Sequence, residues 1–140
     1  MTDRHFRVPS MRLAELHAAC APATYTYLFT WKSPGWEGQL GAGHEVSTPF
    51  VFGTYDIPEA RGFVTPSADV EQLSQQMQDA WVAFARTGRP RTAALPEWEP
   101  YTSAHRSTML LGTSCRAVDA PCETERHFWA DARASRASHV

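Results

Sequence analysis

The sequence predicts an α/β protein, and two segments and their order carry that prediction. Residues 24–31, Thr-Tyr-Thr-Tyr-Leu-Phe-Thr-Trp, alternate β-branched and aromatic side chains as a strand does. Residues 69–86 instead repeat apolar groups at helical spacing, at Val70, Leu73, Met77, Trp81 and Phe84. The strand would gather Tyr25, Tyr27, Phe29 and Trp31 on one face, and so aromatic a face needs helices laid over it, which places the strand in the interior of a sheet.

In chain order, Pro9 and Ser10 lead into residues 11–20, where Leu13, Leu16, His17 and Cys20 share a helical face. Ser10 is the expected cap, Pro22 the stop, and His17 a packed histidine. After the strand, residues 33–38 form a Gly/Pro loop that runs into Gly41-Ala42-Gly43-His44-Glu45-Val46 and then the uncharged run Pro49-Phe50-Val51-Phe52-Gly53. Phe50 and Phe52 are expected to support the histidine loop from a core. Pro58, Gly62 and Pro66 keep residues 54–67 irregular. Asp69 and Glu71 suit the first turn of the long helix, and Gly88 and Pro90 end it. Residues 89–100 read as a surface connection anchored by Trp98, and residues 106–111 as a short strand at a sheet edge. Residues 123–134 read as a last helix carrying Phe128 and Trp129, whose end frays from about residue 132 into a tail through 140.

The 140 residues are enough for one domain, and a formal charge of −2 with mixed signs offers no basic face for nucleic acid or a membrane surface. Neither a signal-peptide core nor a bilayer-length apolar run is present, so a cytoplasmic location is expected. Cys20, Cys115 and Cys122 lack metal spacing and read as reduced thiols. His44-Glu45 would begin a zinc-protease motif only with a histidine at position 48, and Thr48 stands there. His5, His105, His127 and His139 show no ligand spacing, so neither a metal nor a cofactor is expected. No Gly-x-Ser-x-Gly turn occurs, which leaves Ser33, Ser47 and Ser114 poor nucleophiles. His44 follows the carboxyl end of a strand, where α/β sheets carry functional loops. The residues alone leave it between a hydrogen-bonded structural histidine and a catalytic one.

A set of colinear motifs resembles the C-terminal portion of the type B carboxylesterases, the family of the bacterial p-nitrobenzyl esterases and the cholinesterases. They are Phe6-Arg7-Val8-Pro9, Arg12-Leu13-Ala14-Glu15, the 25–31 strand, Leu40-Gly41-Ala42-Gly43-His44, Pro49-Phe50-Val51-Phe52-Gly53, residues 77–88, Trp98-Glu99-Pro100-Tyr101 and Arg106-Ser107-Thr108-Met109. The resemblance implies the C-terminal part of an α/β-hydrolase fold over residues 1–140, with central strands, covering helices and a catalytic-histidine loop. It implies ester hydrolysis by a serine, an acid and a histidine, and His44 matches the histidine, the general base. The family's other site members come before the matched portion, so a chain inactive alone is expected, with an N-terminal esterase portion or a second copy as partner and an ester as substrate only in a complete site. Two positions depart from the family pattern: Ser47 stands where a glutamate is common, and Glu45 where a small residue is usual. A noncatalytic interaction module derived from the same fold is the alternative.

Overall fold

In a computed structural model that describes residues 3–137, the longest element is the helix expected in the middle of the chain, α3 (Ala68–Thr87). Ser67 caps it with its own hydroxyl, which accepts from the Val70 amide at 3.3 Å, and the Gly88 amide closes the far end on the Phe84 carbonyl at 2.7 Å. Val70, Leu73, Ser74, Met77 and Ala80 form the buried stripe. Trp81 continues it half-buried, while Phe84 turns 44 % outward because the stripe drifts around the helix over its length.

The chain divides into two compact units, Met1–Thr26 with Pro100–Thr108 and Val118–Val140, and Tyr27–Glu99 with Met109–Ala117. The second unit holds α3, α2 (Thr48–Phe52) and most of a three-stranded sheet ordered β1 (Thr26–Phe29), β2 (Thr108–Leu111), β3 (Arg116–Val118). The Thr30 amide bonds the Leu111 carbonyl at 2.7 Å and the Thr26 hydroxyl the Ser107 carbonyl at 2.9 Å, so β1 and β2 run parallel. The short link from β2 to β3 permits only an antiparallel return, which makes the sheet mixed.

The aromatic face of β1 meets helices but is covered only in part, since Tyr27 stays 45 % exposed and only Trp31, just past the strand, is buried. Tyr27 meets Trp81 with ring centroids 5.1 Å apart, and Phe29 and Trp31 meet Phe50 at 5.2 and 5.0 Å. Trp98 is buried and lies 6.3 Å from Trp81, which fixes the otherwise irregular 89–100 connection. Strand positions differ from expectation. Among the described strands β1, expected in the interior, lies at one edge and β2, expected at an edge, is central, because pairing with β3 supplies its second neighbour.

In the first unit a π-helical turn (Asp3–Arg7) leads directly into α1 (Val8–Ala18). The backbone is therefore already helical before Ser10, and Ser10 lies inside the helix instead of capping it. The expected apolar face of α1 is not buried. Leu13 and Leu16 are 67 % and 61 % exposed, and only Ala14 is buried. His17 is exposed rather than packed, and its Nδ1 lies 2.7 Å from Thr24 Oγ1. The single Thr24 hydroxyl proton goes to the Ala21 carbonyl, so the histidine nitrogen is the donor of that pair. The last helix, α4 (Glu123–Ala137), runs three residues beyond its expected end. What remains of the expected tail, residues 138–140 with His139, lies outside the described residues.

An ion-pair cluster joins three segments of this unit. Arg126 donates to both Glu123 oxygens at 2.8 and 2.6 Å, Arg106 lies 3.7 Å from Glu123 and 3.5 Å from Glu15, and His127 lies 3.1 Å from Glu123. The Arg126 hydrogen bonds, aided by the charges of Arg126, Arg106 and His127, hold the Glu123 carboxyl down to about 2 from an ordinary 4.5. A carboxyl depressed on folding contributes stability that is complete above its unfolded value and is lost as pH falls toward its folded one. Urea midpoints should therefore drop between about pH 4.5 and 2 more steeply in the wild type than in Glu123→Gln. Equal slopes in the two proteins would assign the acid sensitivity to other carboxylates.

Candidate functional site

The His44 loop is built from its two anchors inward. At its start Ser33 is buried, and its amide donates to the Gly41 carbonyl at 2.9 Å in an isolated antiparallel bridge. Its hydroxyl donates to the Phe63 carbonyl at 2.5 Å and accepts from the Gly35 amide at 2.9 Å. A side chain at Gly35 would meet the Gly62 carbonyl at 2.7 Å, so glycine is what lets the loop lie against that segment. Gly41, on the other side of the bridge, takes φ 56°, a left-handed conformation that glycine adopts without penalty.

At its end Val46 is 1 % exposed and Phe50 fully buried, so the chain is fixed again two residues after His44. The run expected as apolar support forms the short helix α2, and its geometry separates the two phenylalanines. Positions two apart on a helix point about 200° apart, so only one of them can face inward. Phe50 does so, against Phe29 and Trp31, while its carbonyl accepts from the Ser74 hydroxyl at 2.8 Å. Phe52 is 71 % exposed and gives the loop no support, which corrects the expectation for that residue.

Between the anchors His44 is presented outward, with its side chain 74 % exposed, on successive turns closed by Val46 N–H to Gly43 and Thr48 N–H to Glu45. Glu45 has φ 68°, a conformation costing a residue with a side chain about 1 kcal/mol or more. Its carboxylate is engaged at both oxygens. Oε1 lies 3.1 Å from His44 Nε2, and Oε2 accepts from the Thr48 hydroxyl at 3.0 Å. Sequence reasoning met Glu45 in a zinc-protease motif that Thr48 breaks and as a departure from a family pattern, and neither foresees this contact, because nothing marks a glutamate for a left-handed turn.

None of the three candidate serines stands in a nucleophile's setting. Ser33 is buried with its proton committed to a carbonyl, Ser47 precedes α2, and Ser114 lies exposed on the turn between β2 and β3. His105 pairs with Asp119 at 3.5 Å and His127 with Glu123, and no group of three or more metal-ligating side chains converges among the described residues. The three cysteines are unbridged. No helix among the described residues is long and apolar enough to cross a membrane.

The profile of the Carboxylesterase family matches residues 1–129. Among characterised proteins, the para-nitrobenzyl esterase of Bacillus subtilis is 34 % identical over 128 residues, covering 90 % of this chain and 25 % of that protein. The phenmedipham hydrolase of Pseudarthrobacter oxydans is 31 % identical over 113 residues, covering 79 % of this chain and 22 % of its own length. Among solved structures, a thermophilic p-nitrobenzyl esterase superposes with a TM-score of 0.81 at 31 % identity over 90 % of this chain and 26 % of that one. A Geobacillus stearothermophilus carboxylesterase gives 0.79 at 34 % identity over 92 % of this chain and 26 % of its own. The chain thus spans about a quarter of the length of the relatives it matches, and the fold is that of the α/β-hydrolase esterases.

Proposed function

The chain belongs to the carboxylesterase family, and from that membership we propose that it supplies the histidine of a carboxylic ester hydrolase site completed by another polypeptide portion. One observation carries the reading: the His44 ring projects from a backbone anchored on both sides, at Ser33–Gly41 and at Val46, in a chain the family matches along nearly its whole length. An exposed ring on a fixed backbone is what a base acting on an incoming nucleophile requires. In this role His44 takes the serine proton as the ester carbonyl is attacked, returns it to the departing alcohol, and then activates water to release the acyl group. Serine, orienting acid and oxyanion donors come from sequence corresponding to the other three quarters of the relatives, and residues 1–140 act as the C-terminal part of that domain. Phe50 contributes by holding the loop.

The 140-residue chain alone is expected to hydrolyse p-nitrophenyl esters no faster than its His44→Ala variant, since an isolated imidazole lacks nucleophile and oxyanion donors. Mixing it with a polypeptide corresponding to the preceding three quarters of the B. subtilis esterase should produce His44-dependent turnover. Turnover by the chain alone that requires His44 would refute the division of the site.

A second reading, a noncatalytic interaction module, is favoured by the apolar side chains left exposed in the first unit, Phe6, Leu13 and Leu16. On that reading the chain associates with the added polypeptide or with itself, as sedimentation would record, and the mixture stays inactive.

A further inference from the structure

We propose that Glu45 is a positioning residue that restrains His44, holding the ring so that Nε2 is a proton donor rather than a proton acceptor. An ionised carboxylate can only accept hydrogen bonds. Glu45 Oε1 lies 3.1 Å from Nε2 as an ion-pair contact, and at that distance the carboxylate charge favours a proton on that nitrogen over a lone pair. Thr48 steadies the arrangement by donating to the other oxygen at 3.0 Å, so the carboxylate is directed at the ring from a fixed side. The backbone at Glu45 is left-handed, φ 68°.

The consequence for catalysis rests on the reading of His44 as a general base. A base must offer the nitrogen that faces the nucleophile as a lone pair, with the ring proton on the opposite nitrogen. The Glu45 contact stabilises the reverse arrangement. Before His44 can accept a serine proton the ring must leave the carboxylate and its proton must relocate to Nδ1. Glu45 thereby sets the fraction of molecules whose histidine is ready to react, without itself touching substrate. Both side chains are well exposed, at 74 % and 65 %, so the restraint is modest, on the order of two- to fivefold.

Two measurements test this independently. In the full chain labelled with 15N, long-range 1H–15N spectra at a pH where His44 is neutral should place the ring proton on Nε2. In Glu45→Gly and Glu45→Ala the Nε2 resonance should move toward its unprotonated position as the free-imidazole mixture of tautomers returns. An unchanged resonance in both variants overturns the proposal. In the reconstituted esterase both variants should raise kcat about two- to fivefold with KM unchanged. A rise confined to Glu45→Gly would trace the effect to relief of backbone strain and overturn the restraint, and so would kcat unchanged or lowered in both. A mixture with no turnover at all refutes the esterase reading and leaves the spectrum to decide the Glu45 contact.

Discussion

Phe50→Ala should lower the stability of the unit that carries the His44 loop by about 3–5 kcal/mol, the range for truncating a fully buried phenylalanine. That is a large part of the 5–15 kcal/mol, in round numbers, that holds a typical domain together. The reason is positional as much as volumetric. The ring fills the space between Phe29 and Trp31, and the same residue's carbonyl takes the Ser74 hydroxyl, so side chain and backbone fasten α2 to β1 and to α3 respectively. Each tilted or edge-to-face ring pair adds about 0.5–1.5 kcal/mol beyond area burial, which moves the expected loss toward the upper end of the range. Urea titration followed by tryptophan fluorescence measures it, since Trp31 lies in contact with the deleted ring. Phe52→Ala is the internal control. Its side chain is 71 % exposed, and the change should stay within about 0.5 kcal/mol. A Phe50→Ala loss below about 1 kcal/mol would mean that α2 is not what fixes the loop.

The contrast between those two residues shows where the sequence was legible. α3 could be read because its apolar period is sustained from Val70 to Phe84, with acidic residues in its first turn and Gly88 past its end. Residues 49–53 are too few to distinguish a helix from an extended apolar run, and the choice decides whether one phenylalanine or both can face a core. The aromatic alternation in β1 revealed which face meets the helices, because side-chain direction is a local property. Which strand is central depends on distant pairings that no local pattern encodes, and β3, three residues with no alternation to detect, was missed altogether.

At the candidate site, the loop that presents His44 was legible through its glycines and its place after a strand. The contact from Glu45 was not, since it is made by a residue whose positive φ no local pattern announces. The exposed face of α1 has a different cause. Periodicity marked Leu13 and Leu16 as apolar neighbours, but it cannot say whether the surface meant to cover them lies within the same 140 residues.

His44→Ala in the reconstituted esterase should reduce kcat by about 10^4- to 10^6-fold while KM stays nearly constant. General acid–base catalysis considered alone contributes about 10^2–10^4. The expected loss is larger because nucleophile and base act as a unit, so that removing the base also leaves the serine proton with nowhere to go. At about 1.36 kcal/mol per factor of ten, the change amounts to roughly 5–8 kcal/mol of transition-state stabilisation. None of it should appear as lost folding stability, because the ring is 74 % exposed and substitutions at such positions shift stability by no more than about 0.5 kcal/mol. Phe50 and His44 are therefore separable by opposite signatures: one variant unfolds easily, and the other stays folded and inactive. Single-turnover acylation with a p-nitrophenyl ester isolates the first proton transfer, and the deficit should already be present there, since the same nitrogen serves attack and release. Residual acylation within tenfold of wild type would assign the proton to another residue and refute the role proposed for His44.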